Sequence, residues 1–138
     1  MSLRDVLEAR LRNDPDVMQQ LAFLDAADVT RCISNLDAKR NAARAANRHL
    51  LSGGMRDISA RSPSEVRIIL RSFKSSPATV TVIWVPDKMG VKLEYGTFIA
   101  HFDDFWYPSS DDVWVTDDAA SFLIELDHEE WLSFFEFI

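Results

Sequence analysis

The chain has 138 residues, 47% of them hydrophobic, and a single cysteine. That length and composition provide for one packed domain and exclude a disulfide framework and a cysteine metal cluster. The net charge of −7 is lopsided: residues 1–76 carry thirteen Lys/Arg against nine Asp/Glu, residues 77–138 carry two against thirteen, and no Lys or Arg follows Lys92, so nonspecific nucleic-acid binding by the whole chain is disfavoured.

Leu3, Val6, Leu7 and Leu11 make a short amphipathic helix at the start of the sequence. Charge alternates with leucine there, which is unlike the apolar core of a secretory leader. The apolar runs elsewhere fall far short of the ~18 residues of a membrane span. No membrane association and a cytoplasmic location are the expectations. Asn13-Asp14-Pro15 restarts the chain, with Asp14 as N-cap and Pro15 at the first helical position. Val17, Met18, Leu21 and Leu24 supply the stripe of this second helix.

A third helix is expected from Asp25 or Asp28 to about Leu51, with Val29, Ile33, Leu36, Ala43, Ala46 and Leu50 near helical spacing and Gly53-Gly54 as its stop. A helix of about 26 residues would be about 39 Å long. It would either break near Ser34-Asn35 or pair with a second copy, giving a homodimer through the helical half. Arg40 and Asn47 interrupt its seam, which favours a packed helix over a coiled coil.

Ser62-Pro63-Ser64-Glu65 reads as a capping box, and Val66, Ile69, Leu70 and Phe73 follow on one helix face. Val66, Ile68 and Leu70 also alternate as in a strand; the cap decides for helix, ended by Ser75-Ser76-Pro77. From Ala78 the period becomes two. Val80, Val82 and Trp84 point one way, Thr79, Thr81 and Ile83 the other, and after a turn at Pro86 to Gly90 the residues Val91, Leu93 and Tyr95 return as a second strand. Gly96 is expected as a bulge or bend, with Phe98 and Ile99 continuing. Val113 to Thr116 and Phe122 to Leu126 are two further strands about an Asp117-Asp118 turn. Asp127 and Glu130 then cap a last helix with Trp131, Phe134, Phe135 and Ile138 as its stripe.

The expected architecture is α+β: N-terminal helices, an antiparallel meander of about four strands and a C-terminal helix. Residues 1–138 form one domain, with a helical part at 1–54 and an α+β part bearing the sheet at 55–138. The helix from Pro63 to Lys74 covers one face of the sheet.

His101, Asp103, Asp104, Asp111 and Asp112 lie within twelve residues, and His128-Glu129 follow. Such donors can bind a divalent cation. Their spacing matches neither an EF-hand loop nor a His-Glu-x-x-His helix, since position 132 is Leu. Solvated loops and turn caps explain them better, so no metal, cofactor or catalytic residue is assigned. An Asp pair with His101 or His128 could serve a small hydrolase, for which two carboxylates must face each other about 5–9 Å apart across a cleft. The basic stretch Lys39 to Lys74, around Arg40, Arg44 and Arg48, could contact nucleic acid. The two oppositely charged halves could also simply attract each other within one fold.

The acidic loop carries aromatics: Phe102, Phe105, Trp106, Tyr107 and Trp114. Most should fill the core. Exposed Trp106 and Tyr107 would serve as interface anchors, with Asp103, Asp104, Asp111 and Asp112 supplying a field that steers a basic protein partner. The run from Phe102 to Trp114, followed by His128-Glu129-Glu130, resembles a stretch of small acidic bacterial immunity proteins of polymorphic toxin systems. The resemblance leaves the helical first half aside. It implies a non-catalytic cytoplasmic protein that blocks a toxin, often a basic nuclease, and it assigns no residue a role.

Overall fold

A computed structural model of the chain describes residues 2–45, 62–73, 79–107 and 111–137. The fold is α+β, with a six-stranded, wholly antiparallel sheet. α1 (Leu3–Arg10) starts at Ser2, whose hydroxyl accepts from the Asp5 N–H while the Asp5 carboxylate accepts from the Ser2 N–H. α2 (Pro15–Gln20) starts at Asp14 with Pro15 at its first position, as the sequence predicts. Leu24 is not part of it. The chain leaves α2 at Leu21 and adds a two-residue edge strand, β1 (Ala22–Phe23), so the first part of the chain is not wholly helical.

α3 (Ala26–Ala45) begins at Asp25, whose carboxylate accepts from the Asp28 N–H at 2.8 Å. It runs unbroken through Ser34-Asn35. The expected continuation to Leu51 and the stop at Gly53-Gly54 lie outside the described residues. α4 (Pro63–Ser72) has Ser62 as its cap, accepting from the Glu65 N–H at 3.2 Å. Val66, Leu70 and Phe73 are buried and Ile68 is exposed, which is helical rather than strand periodicity. The ending at Ser75-Ser76-Pro77 lies outside the described residues.

β2 (Thr79–Trp84) and β3 (Met89–Glu94) form the expected hairpin, in register from Thr79↔Glu94 to Trp84↔Met89. Gly90 is a strand residue and not part of the turn. A Cβ there would lie 3.1 Å from the Val82 carbonyl oxygen and 3.4 Å from a methyl of Val29, so glycine lets α3 approach the sheet closely. The expected strand continuation past Gly96 is instead α5 (Tyr95–Ala100), followed by α6 (Phe102–Phe105). Tyr95, Phe98, Ile99 and Phe102 sit at i, i+3, i+4 and i+7, and all four are buried.

β4 (Val113–Thr116) and β5 (Phe122–Leu126) stand as predicted. The expected terminal helix is a strand, β6 (Leu132–Glu136), paired with β5 from Phe122↔Glu136 to Leu126↔Leu132. Asp127 caps a turn there and not a helix: its Oδ1 accepts from the Glu129 and Trp131 N–H groups, and Glu130 has φ 67°. The strand order is β1-β3-β2-β4-β5-β6.

Both faces of the sheet are covered. Val80, Val82, Trp84, Val113, Val115, Ile124 and Phe134 face a large core filled from α1, α2, α4, α5 and α6. The helix α4 therefore shares this face with others. On it, Phe73 stacks on Phe134 at 4.4 Å, and the Tyr95 hydroxyl donates to the Leu70 carbonyl at 2.6 Å. Ile83, Trp114, Leu123 and Phe135 face a second, smaller core closed by Val29 and Leu36 of α3. Among the described residues no helix is long and apolar enough to cross a membrane.

Candidate functional site

The acidic loop is built around Arg10, a residue with no neighbour in sequence there. Arg10 ends α1, where a cation suits the helix dipole. Its Nη1 donates to Asp111 Oδ2 at 2.8 Å and to the Asp104 carbonyl at 3.4 Å, and its guanidinium lies 3.6 Å from the Tyr107 ring centroid. Asp111 closes the loop on itself. Its Oδ2 also accepts from the Tyr107 N–H at 2.9 Å, and its carbonyl accepts from the Trp106 indole N–H at 3.2 Å. Arg10 and Asp111 keep only 13% and 12% side-chain exposure.

This geometry separates the two expected anchors. Trp106 is 1% exposed and belongs to the core, with its indole N–H bonded to the Asp111 carbonyl. Tyr107 is 40% exposed, with its ring fixed on Arg10. Phe102, Phe105 and Trp114 are buried.

The four aspartates do not act as one charged face. Asp103 lies 3.7 Å from Arg67 of α4. Asp104 lies 3.5 Å from His101. Asp112 accepts from the His128 N–H at 2.9 Å and meets its Nδ1 at 2.8 Å. That hydrogen bond and the Asp112 charge raise the His128 pKa above 6.5. The Asp104 carboxyl is pushed up by burial first, then by the nearby Asp103, with Asp14 adding to the repulsion.

A further pair links the basic and acidic parts of the chain: Arg40 meets Glu125 at 2.7 Å. Within the acidic part, Lys92 meets Asp118 at 2.9 Å. Arg10, Arg40 and Arg67 of the first half thus each reach an acid of the second. Attraction between the halves is part of the fold. Arg40, one of the residues considered for nucleic acid, is turned toward Glu125 and the Trp114 ring. Arg48 lies outside the described residues.

Two small constructions flank this loop. Leu3, Val6, Arg10, Trp84, Asp87, Met89 and Asp111 line a cleft of about 290 Å³, near the lower limit of about 300 Å³ for small-ligand clefts. Asp14, His101 and Asp104 bring three metal-type donor atoms within 4.8 Å of one another. Of the five donors grouped by sequence, only His101 and Asp104 enter that cluster. Asp14 was legible as a helix cap, and nothing in its local sequence places it beside residues 101–104.

Along β6, one of the two edges of the sheet, Leu132 and Phe134 offer little to an added strand. The bonds from the Phe137 N–H to the Ser121 carbonyl and from the Asp127 N–H to the Trp131 carbonyl fix which residues face β5. Alternation then turns the backbone of Leu132 and Phe134 outward, yet these residues are 0% and 6% exposed. No family model, curated protein or solved structure matches this chain.

Proposed function

We propose that this chain is a non-catalytic protein-binding module of the immunity type, which receives a basic protein at the end of the molecule built from Tyr107, Asp103 and the cleft beside Arg10. The observation that carries this reading is Tyr107, an exposed aromatic ring fixed in place by a guanidinium that is itself held by Asp111. A rigid ring loses little conformational freedom on binding, which makes it an effective anchor. The adjoining cleft combines apolar walls from Leu3, Val6, Trp84 and Met89 with Asp87 and with the Asp111 carboxylate, which Arg10 already holds. Its apolar walls suit the aliphatic stem of a Lys or Arg from a partner, and Asp87 suits the charged head. Asp87 has no cationic partner of its own among the described residues. The net charge of −7 adds long-range steering.

The test is capture and identification of the partner, followed by its dissociation constant across a salt series for the wild type, Tyr107→Ala and Asp87→Asn. The expected partner is basic, and its affinity falls as salt rises. Tyr107→Ala should weaken binding at least about tenfold, as loss of an interface anchor does. An acidic partner, or an affinity indifferent to both salt and Tyr107→Ala, would overturn the proposal.

A further inference from the structure

Two carboxylates and an imidazole from separate elements converge beside α6. Asp14 is the N-cap residue of α2, yet its side chain makes no capping hydrogen bond with that helix. His101 joins α5 to α6, and Asp104 lies within α6. Their donor atoms all lie within 4.8 Å of one another, and all three residues are partly buried.

The spacing within the group is informative. His101 Nδ1 lies 3.5 Å from Asp104 Oδ2. A second His–Asp pair among the described residues, His128 and Asp112, closes to 2.8 Å, as a direct charge-assisted hydrogen bond should. Two ligands about 2.1 Å from a tetrahedral zinc ion are about 3.4 Å apart. The 3.5 Å separation is close to that edge length, and an Asp14 carboxylate oxygen lies within 4.8 Å of both donors.

The donor set of one nitrogen and two oxygens suits a first-row transition ion, and the imidazole disfavours calcium and magnesium.

We propose that Asp14, His101 and Asp104 hold one divalent transition-metal ion, with zinc as the best match, leaving a fourth coordination position for water or an incoming carboxylate. The site lies next to the Arg10–Tyr107 end of the molecule, but it stands independently of any protein partner.

Isothermal titration of the untagged full chain with zinc chloride, paired with cobalt substitution read by its visible absorption, tests this. One ion per chain and a tetrahedral cobalt spectrum are expected. Asp14→Asn and His101→Ala should each weaken binding at least about tenfold, since even residues that merely support a ligand cost that much. His128→Ala and Asp112→Asn should leave the affinity unchanged. Circular dichroism of each variant checks the fold, and Asp14→Asn, a near-isosteric change, remains decisive if His101→Ala is poorly folded. Absence of saturable binding, or binding that Asp14→Asn leaves intact, overturns the proposal.

Discussion

Replacing Arg10 by alanine should destabilise the protein far more than an ordinary surface substitution. The side chain gives up its 2.8 Å contact with Asp111 and its 3.6 Å stack on Tyr107 together. A hydrogen bond between charged groups contributes about 1.5–3 kcal/mol, and a guanidinium over an accessible ring adds about 0.5–1 kcal/mol. Orphaning a fully buried charge would cost about 3–5 kcal/mol, an upper bound here because Asp111 keeps 12% side-chain exposure. The expected loss is about 3 kcal/mol, or a fall in Tm on the order of 10 °C. Urea unfolding followed by tryptophan fluorescence measures it. A double-mutant cycle with Asp111→Asn should return a coupling above about 1 kcal/mol. Arg10→Lys should recover only part of the loss, since an ammonium cannot both pair and stack as a planar fork does. A loss below about 0.5 kcal/mol, the range of neutral surface changes, would show that Arg10 does not organise this loop.

Two further changes probe other parts of the fold. Lys88 is exposed in the β2–β3 turn with φ 51°, a conformation glycine adopts without steric penalty. Lys88→Gly should therefore stabilise the fold by about 0.5 kcal/mol once the greater freedom of the unfolded glycine is subtracted, and so raise the urea midpoint; a lowered midpoint refutes this. His128 titrates above 6.5 in the folded protein because of Asp112. Its contribution is thus complete below pH 6.5 and disappears as pH rises through the raised value. The stability difference between wild type and His128→Asn should be larger at about pH 6 than at about pH 8. In an NMR titration the His128 midpoint should drop on Asp112→Ala. A midpoint at or below 6.5 in the wild type contradicts the pairing.

The elements that the sequence predicts well are those with a punctuating residue. Pro15 and Ser62-Pro63 mark helix starts that the structure keeps, and the alternation of Val80 to Trp84 marks a strand. The last segment fails because Asp127 and Glu130 suit a hairpin turn as well as a helix start. Trp131, Phe134 and Phe135 fit a helical face, but Leu132 and Phe134 equally fit one side of a strand. The ladder with Phe122 to Leu126 settles the ambiguity, and no local signal encodes it. Tyr95 to Phe102 has a clear helical spacing, hidden behind a strand that ends one residue earlier. β1 is too short to leave a pattern. For the site, the acidic residues were visible and their partners were not. Arg10, Arg67 and Asp14 reach residues 103–111 only through the packing of α1, α4 and α2 against one sheet face.

The strand order also bears on how the molecule comes together. The hairpin of β2 with β3 and the meander of β4, β5 and β6 each arise by tight chain reversal. Their junction, Thr81–Trp84 against Val113–Thr116, forms only after the whole α5–α6 excursion has closed. Loop closure of that kind is entropically expensive and slow relative to a hairpin. Ile83 and Trp114 face each other across this junction, and both lie in the core closed by Val29 and Leu36 of α3. The helix acts as a splint across the seam between the two half-sheets. Amide exchange along the seam therefore reports on α3 docking, while exchange within each hairpin reports on the half-sheet alone.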